Sequence, residues 1–204
     1  MRPGTDSSSA PRCGLVILAA GASRRMGSPK QLIEIDGRPL LVRAIEAAHA
    51  APVWPVVVVL GANAATIRPV IAHLPVLIVD NPAWAEGMAS SIREGVATLR
   101  QFSRTLDAAV LALCDQPGFS AATVESLLAA HHATGRGIVA ARYAVRLGAP
   151  ALFTRAHFPA LAALTGEEGA RDLLNADPAR VAAVDLPELA RDLDTPEDLQ
   201  DLAR

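Results

Sequence analysis

The chain has 204 residues, of which 51% are hydrophobic and 20% are charged, and its formal net charge is −2. This length suits a single domain with a substantial core, and a composition so apolar and nearly neutral excludes both a wholly disordered chain and a general polyanion binder. The longest apolar runs, such as Leu15–Ala20, are far shorter than the roughly 20 residues that a membrane span needs. We therefore expect no nucleic-acid partner and no membrane partner.

The N-terminus and the two cysteines predict where the protein works. Residues 1–12 are polar, with serine at positions 7–9, and lack the apolar core of a secretory signal. We expect a flexible tail over 1–12 and one domain over 13–204. Cys13 and Cys114 are too few for a disulfide framework and match no metal motif, so we expect two reduced, mostly buried thiols and a cytoplasmic protein.

Short apolar runs alternate with alanine-rich stretches of helical spacing along the chain. In chain order we predict strand Gly14–Ala19, helix Pro39–Ala50, strand Val56–Leu60, helix Ala64–Ala72, strand Val76–Val79, helix Gly87–Leu99, strand Ala108–Leu113, a helix from an N-cap at Ser120 to about His132, strands Gly137–Tyr143 and Ala151–Phe153 around a turn at Gly148–Pro150, helices Arg155–Leu164 and Gly169–Asn175, strand Val181–Leu186, and helix Thr195–Ala203. This alternation predicts an α/β fold whose mainly parallel sheet is covered on both faces. Ligands of such sheets bind beyond the carboxyl ends of the strands.

The loop after the first predicted strand is rich in small residues and cations. Gly21 allows a close approach of ligand to backbone, and consecutive N–H groups in such a loop form an anion site. Arg25 and Lys30 supply the positive charge that a triphosphate requires. Gly21 and Gly27 do not have the spacing of a Walker A loop or of G-x-G-x-x-G, so kinase-type and dinucleotide functions lose their main support. The alternative is a glycine-rich turn with solvated cations.

Polar residues at other strand ends are further candidates. Asp115 follows a buried strand, where a carboxylate can hold Mg²⁺ against substrate phosphates, although a turn or helix-cap aspartate is the structural alternative. Asn81, Gly87, Ser90 and Ser91 form a loop-to-helix junction, and helix N-termini bind anions. Ordinary first-turn capping explains the two serines equally well.

The segment Leu18–Lys30 reads L-A-A-G-x-S-x-R-M-G-x-x-K and resembles the signature of the MobA-like nucleotidyltransferases. Segments Asn81–Ser91, Cys114–Pro117, Gly166–Arg171 and Asp192–Asp198 are similar to molybdenum cofactor cytidylyltransferases. The resemblance covers roughly Gly14 to the C-terminus. It implies a single Rossmann-like three-layer domain that transfers a nucleotidyl group from an NTP.

The resemblance also implies roles for individual residues. The nucleotide would be bound by Leu18, Ala19, Ala20, Gly21, Ala22, Ser23, Lys30 and Gly61; the catalytic residues would be Arg25, Lys30 and Asp115; Mg²⁺ would be held by Asp115 and Asp194; and the acceptor would be bound by Asn81, Gly87, Ser90, Ser91 and Arg171. Asp192 is the alternative second metal ligand, helix capping is the alternative role of Asp194, and a solvated helix cation is the alternative for Arg171.

Three residues bear on which substrates the resemblance implies. Ala20 stands where guanylyltransferases of the group more often have glycine, which favours CTP over GTP. Ala149 and Glu167 replace the histidine and aspartate often found in related cofactor cytidylyltransferases, and both lie on the expected acceptor side. The expected partners are CTP, the molybdenum–pterin cofactor and a client molybdoenzyme. The alternatives are transfer to a sugar phosphate or polyol phosphate, and a non-catalytic cofactor carrier or chaperone.

Overall fold

The structure, a computed structural model, describes residues 11–167, 169–193, 195 and 197–199. Its helices and strands, in chain order, are β1 (Cys13–Ala19), β2 (Glu34–Ile35), β3 (Arg38–Pro39), α1 (Leu40–Ala50), β4 (Val56–Leu60), α2 (Ala64–Ile71), β5 (Leu77–Asp80), α3 (Met88–Phe102), β6 (Ala108–Leu113), α4 (Ala121–Thr134), β7 (Ile138–Tyr143), β8 (Arg146–Thr154), α5 (Phe158–Ala162), α6 (Arg171–Ala176) and β9 (Val181–Asp185). Within these ranges, no helix is long and apolar enough to cross a membrane.

One seven-stranded sheet organises the chain, with the strand order β5-β4-β1-β6-β8-β7-β9. Neighbouring strands are parallel except on the two sides of β8, which runs antiparallel to β6 and β7. This confirms the expected α/β architecture with a mostly parallel sheet. The carboxyl ends of β4, β1 and β6 therefore meet at one edge of the sheet.

Helices cover both faces of the sheet and make it the middle of three layers. On one face α1, α2 and α4 contribute Ile45, Ile71 and Leu127 to the core. On the other face α3, α5 and α6 pack against the sheet. Successive residues of β1 enter the two cores alternately, which is why this strand is a continuous apolar run in the sequence.

The turn predicted at Gly148–Pro150 is wrong. These residues lie inside β8, and the chain reverses instead at Ala144 and Val145, whose φ angles are 46° and 65°. The segment is extended because it belongs to β8, in which Gly148 pairs with Ala141 of β7, and the Ala149 carbonyl also accepts a hydrogen bond from the Tyr143 hydroxyl at 2.9 Å. Gly148 leaves room for that ring, since a Cβ there would lie 2.5 Å from the Tyr143 oxygen. Glycine here serves packing, not chain reversal.

Other differences from the predicted elements are smaller. The helix predicted at Arg155–Leu164 is a 3₁₀ turn at Arg155–His157 followed by α5, and the short ribbon of β2 and β3 was not predicted. Ser120 caps α4, as expected, by accepting a hydrogen bond from the Thr123 N–H. Of the helix predicted at Thr195–Ala203, residues 197–199 are helical and the remainder falls largely outside the described residues, as does most of the tail predicted over 1–12.

Candidate active site

A cleft of about 450 Å³ opens beyond the carboxyl ends of β1 and β6, a size usual for small-molecule sites. One wall is the loop after β1, another is the start of α3 with Trp84 before it, and the floor is formed by the residues that end β6. The predicted site residues that line the cleft are Leu18, Ala19, Ala20, Gly21, Ala22, Ser23, Arg25, Lys30, Gly87, Ser91 and Asp115. The fold thus brings together most of the predicted nucleotide and catalytic residues.

The loop after β1 is held by Gln31, which was not among the predicted site residues. This side chain is 1% exposed, and its amide nitrogen donates to the carbonyls of Ala19 at 2.9 Å and Gly21 at 3.0 Å. The carbonyl of Ala20 between them accepts from the Ala62 N–H at 3.1 Å. Three successive carbonyls of the loop are therefore engaged within the protein.

Ser23 closes the loop with a left-handed backbone, at φ 53°. Its hydroxyl oxygen accepts from the Lys30 N–H at 3.0 Å, and the hydroxyl donates to Gln31 Oε1 at 3.3 Å. The Ser23 carbonyl accepts from the Met26 N–H at 3.0 Å. All the hydrogen-bonding atoms of the Gln31 amide thus contribute to a fixed loop shape.

The amide groups of this loop differ from its carbonyls. Among the residues described, no hydrogen-bond acceptor is found for the backbone N–H groups of Gly21, Ala22 and Ser23. Adjacent N–H donors of this kind suit phosphate oxygens, and Arg24 and Arg25 line the same wall. The loop therefore has the donors and the charge of an anion site.

Lys30 and Asp115 meet at the floor of the cleft. The lysine Nζ contacts Asp115 Oδ2, and their side chains are only 16% and 13% exposed. Within the described part of the chain, the buried Asp115 Oδ1 has no hydrogen-bond partner. The Coulomb attraction within an ion pair shielded in this way is stronger than that on the open surface. The remaining carboxylate oxygen is the kind of ligand that Mg²⁺ or Mn²⁺ accepts.

A second segment approaches Asp115 from the C-terminal part of the chain. The Leu193 N–H donates to the Asp115 carbonyl at 3.0 Å, so the chain around Asp192 passes beside the floor of the cleft. Asp194, the predicted second metal ligand, lies outside the described residues.

Gln116, beside Asp115, anchors the floor to β8. It is 3% exposed and donates to the Tyr143 hydroxyl oxygen at 3.1 Å and to the Ala149 carbonyl at 3.2 Å. Burial, and then the nearby negative charge of Asp192, raises the pKa of Tyr143, and the protonated phenol donates to the Ala149 carbonyl. The contribution of residue 149 to this network is its carbonyl, which explains how alanine is accommodated there.

The predicted acceptor residues do not form one surface. Gly87 and Ser91 line the cleft, whereas Asn81 and Ser90 are buried behind it and Arg171 is exposed at the start of α6. Gly87 has φ 112°, and a Cβ there would lie 2.6 Å from the Gly166 carbonyl. This close approach brings Glu167 to the rim of the cleft.

Gly61, Trp84 and Cys114 complete the surroundings of the site. Gly61 does not line the cleft but supports its wall, since a Cβ there would lie 2.6 Å from the Ala20 carbonyl. Trp84 lines the cleft and also packs on a core cluster. Cys114 is buried as expected, and burial raises the pKa of its thiol to about 12.

The family model of the MobA-like NTP transferase domain matches residues 15–182. The chain belongs to the MobA-like NTP transferase family. The matched range contains the loop after β1, Lys30 and Asp115, so the cleft is built from the family's own domain.

Three proteins are similar to this chain in sequence or in structure. Nicotine blue oxidoreductase of Paenarthrobacter nicotinovorans is 36% identical over 195 residues, covering 90% of this chain and 93% of that protein. The Rv0371c homologue of Mycobacterium sp. strain JC1 has a structure that superposes with a TM-score of 0.80 at 31% identity, covering 94% of each chain. Rv0371c of Mycobacterium tuberculosis in complex with manganese gives a TM-score of 0.74 at 27% identity, covering 94% of this chain and 97% of that one.

Proposed function

We propose that this MobA-like protein transfers CMP from CTP to the phosphate of the molybdenum–molybdopterin cofactor and releases pyrophosphate. The observation that carries the proposal is the shared cleft, which is lined both by the loop after β1, whose N–H groups at residues 21–23 have no acceptor among the described residues, and by the pair of Lys30 and Asp115. A triphosphate needs both features, because its charge must be neutralised and its α-phosphate must be held in one orientation.

The proposed cofactor is Mg²⁺, which proteins hold through one or two carboxylates together with substrate phosphates and waters. Asp115 would hold it through the carboxylate oxygen that has no partner among the described residues, and the resemblance adds Asp194. Rv0371c, a family relative, has been crystallised with manganese, which supports a divalent cation here. When bound, such an ion neutralises charge on phosphate oxygens.

The protein's own groups would act by binding and alignment. An acceptor phosphate oxygen attacks the α-phosphorus of CTP, and the bond to the bridging oxygen of pyrophosphate breaks, so that this oxygen leaves with the bonding electrons. The acceptor phosphate is ionised at pH 7 and needs no general base. Gly21, Ala22 and Ser23 would donate N–H groups to the phosphates, while Arg25 and Lys30 would balance the charge of the departing pyrophosphate.

The choice of base and acceptor rests on fewer residues. Ala20 borders the cleft but is only 6% exposed and packs in the core, so the preference for CTP rests on the resemblance, in which alanine at this position goes with cytidylyltransferases. The acceptor is the less constrained part, because Glu167 at the rim departs from the pattern that the resemblance implies. Docking on a client molybdoenzyme would follow if the product is the cytidylylated cofactor.

The test is pyrophosphate release with freshly released molybdenum cofactor and Mg²⁺, run in parallel with CTP, GTP, ATP and UTP. We expect release with CTP, and a loss of about 10²-fold or more in turnover for Asp115→Ala and for Lys30→Ala, the order found on removing one preorganised electrostatic group. The control is Asp36→Asn, which removes the charge of a carboxylate that is 83% exposed and does not line the cleft. Pyrophosphate release that occurs with sugar phosphates or polyol phosphates, but not with the molybdenum cofactor, would change the assigned acceptor. Nucleotide binding without pyrophosphate release would indicate a carrier.

A second candidate function is reduction, because 36% identity to nicotine blue oxidoreductase extends over 93% of that protein. The same preparation should be tested for oxidation of NADH and NADPH in the presence of nicotine blue. Turnover there that survives Asp115→Ala, together with no pyrophosphate release, would favour the reductase.

A further inference from the structure

Asn81 lies behind the cleft wall with its side-chain amide in a defined orientation. It is 1% exposed, and its Oδ1 accepts a hydrogen bond from the Ala83 N–H at 2.9 Å. Its Nδ2 is therefore the atom directed toward α3, at 2.7 Å from Ser90 Oγ and 3.0 Å from Ser91 Oγ. An amide nitrogen only donates, so both serine oxygens are acceptors in these bonds.

The two serines use their own protons differently. Ser90 donates its hydroxyl proton to the Gly87 carbonyl at 2.8 Å, so both hydrogen bonds of Ser90 are made inside the protein. Ser91 is 4% exposed and lines the cleft, and the described residues offer no acceptor for its hydroxyl proton. Since its oxygen is already engaged by Asn81, the unused capacity of Ser91 is chiefly that of a donor.

We infer that Asn81 is a positioning residue that sets the polarity of the Ser91 hydroxyl, so that Ser91 donates a hydrogen bond to an acceptor oxygen of the nucleotide in the cleft. Asn81 itself does not touch the ligand. The inference rests on the proposed function in that the ligand is a nucleotide. It explains why an asparagine, with two N–H bonds and one carbonyl oxygen, occupies a buried position that contacts two serines and one backbone amide.

Replacement by aspartate reverses the arrangement with almost no change of shape. In Asn81→Asp the carboxylate still accepts from the Ala83 N–H, but its other oxygen can only accept from the serines. The Ser91 proton would then turn toward residue 81, and a lone pair would face the cleft in place of the donor. The variant should weaken nucleotide binding although residue 81 lies outside the cleft.

The experiment is calorimetric titration of CTP, cytidine and inorganic pyrophosphate, each with Mg²⁺, into wild type, Ser91→Ala, Asn81→Asp and the double variant. We expect each single variant to raise the Kd of CTP about tenfold, the usual scale for one hydrogen bond whose loss leaves a polar atom unsatisfied. The double variant should bind no more weakly than Ser91→Ala, because Asn81 acts through Ser91. Thr98→Ala, which removes a hydroxyl bonded to the Glu94 carbonyl within α3, should leave the Kd unchanged.

The affinities for the three ligands show which part of the nucleotide accepts the hydrogen bond from Ser91. A weaker affinity for pyrophosphate assigns the acceptor oxygen to a phosphate, and a weaker affinity for cytidine alone assigns it to the base or ribose. Additive losses in the double variant, or unchanged CTP affinity in Ser91→Ala, would overturn the inference while leaving the nucleotide site intact. A wild-type protein that binds neither CTP nor pyrophosphate would overturn the proposed function itself. Thermal unfolding of each variant identifies any that do not fold, and Ser91→Ala tests the donor without introducing a buried charge.

Discussion

Replacing Gln31 by leucine removes the side chain that holds the loop after β1 while keeping a similar volume. The change deletes the two bonds from the amide nitrogen, at 2.9 Å and 3.0 Å, and the bond accepted from Ser23 at 3.3 Å. Each such bond contributes about 0.5–1.5 kcal/mol net, and a buried carbonyl left without its donor costs more. We expect Gln31→Leu to lower the free energy of unfolding by about 2–4 kcal/mol, which for a domain of this size is a fall of roughly 5–15 °C in Tm.

Binding should suffer as well, because the N–H groups of Gly21, Ala22 and Ser23 would no longer be held in one arrangement. We expect the Kd of CTP to rise by about tenfold or more, on the scale of the hydrogen bonds involved. Urea unfolding followed by circular dichroism gives the stability, and calorimetric titration gives the affinity. Gln101→Leu, on the exposed end of α3, is the control for loss of a surface amide. The loop does not depend on this side chain if Gln31→Leu binds CTP normally and its free energy of unfolding is within about 0.5 kcal/mol of wild type, the range of neutral surface changes.

Three further outcomes can be checked by simple measurements. Gly95→Ala places a Cβ 2.4 Å from Val16 Cγ1. The cost of overpacking, about 1–3 kcal/mol, should exceed the gain in helix propensity, about 1 kcal/mol, so the free energy of unfolding should fall. A variant that resists urea better than wild type would show that α3 can move away from the sheet. Burial raises the pKa of Cys13 and of Cys114 to about 12, so iodoacetamide at pH 8 should label neither thiol in the folded protein and both in urea; rapid native labelling would contradict this. Burial lowers the pKa of His157 below its usual 6.5, so the unfolded chain binds the proton more readily and stability should fall as the pH drops below 6.5. The stability of His157→Gln should depend less on acid pH. If that dependence is unchanged in the variant, it arises from other groups.

Elements whose signal lies in adjacent residues were predictable from the sequence. The strands Val56–Leu60 and Ala108–Leu113 were predicted with their observed bounds, because a parallel strand buried on both faces is a continuous apolar run. The turn predicted at Gly148–Pro150 failed because its residues favour a turn locally, whereas the pairing of β8 with β7 and the hydrogen bond from Tyr143 hold them extended. The two-residue strands β2 and β3 are too short to carry a pattern.

Site residues with a local sequence signal were likewise predicted, and those that depend on distant contacts were not. Most of the loop from Leu18 to Lys30 could be assigned to the cleft, because small residues and cations after a buried strand are a strong local signal. Gln31 was missed because its partners are backbone atoms that come near it only after the loop has folded; a polar residue just before an apolar pair was the only hint. Asn81 was predicted to bind the acceptor but is buried behind the wall, a distinction that depends on how α3 packs.

The antiparallel strand β8 has a consequence for synthesis of the chain. β6 ends at Leu113 and its outer neighbour β8 ends at Thr154, a separation of 154 − 113 = 41 residues. At about 5–20 residues per second, translation of that interval takes roughly 2–8 s. During this time the parallel half of the sheet can already assemble, and β6, six apolar residues, is its unprotected edge, a form of exposure that favours pairing between chains. A pause in synthesis after β6 has left the ribosome and before β8 has left it would therefore prolong this exposure, and we expect it to lower the yield of folded protein.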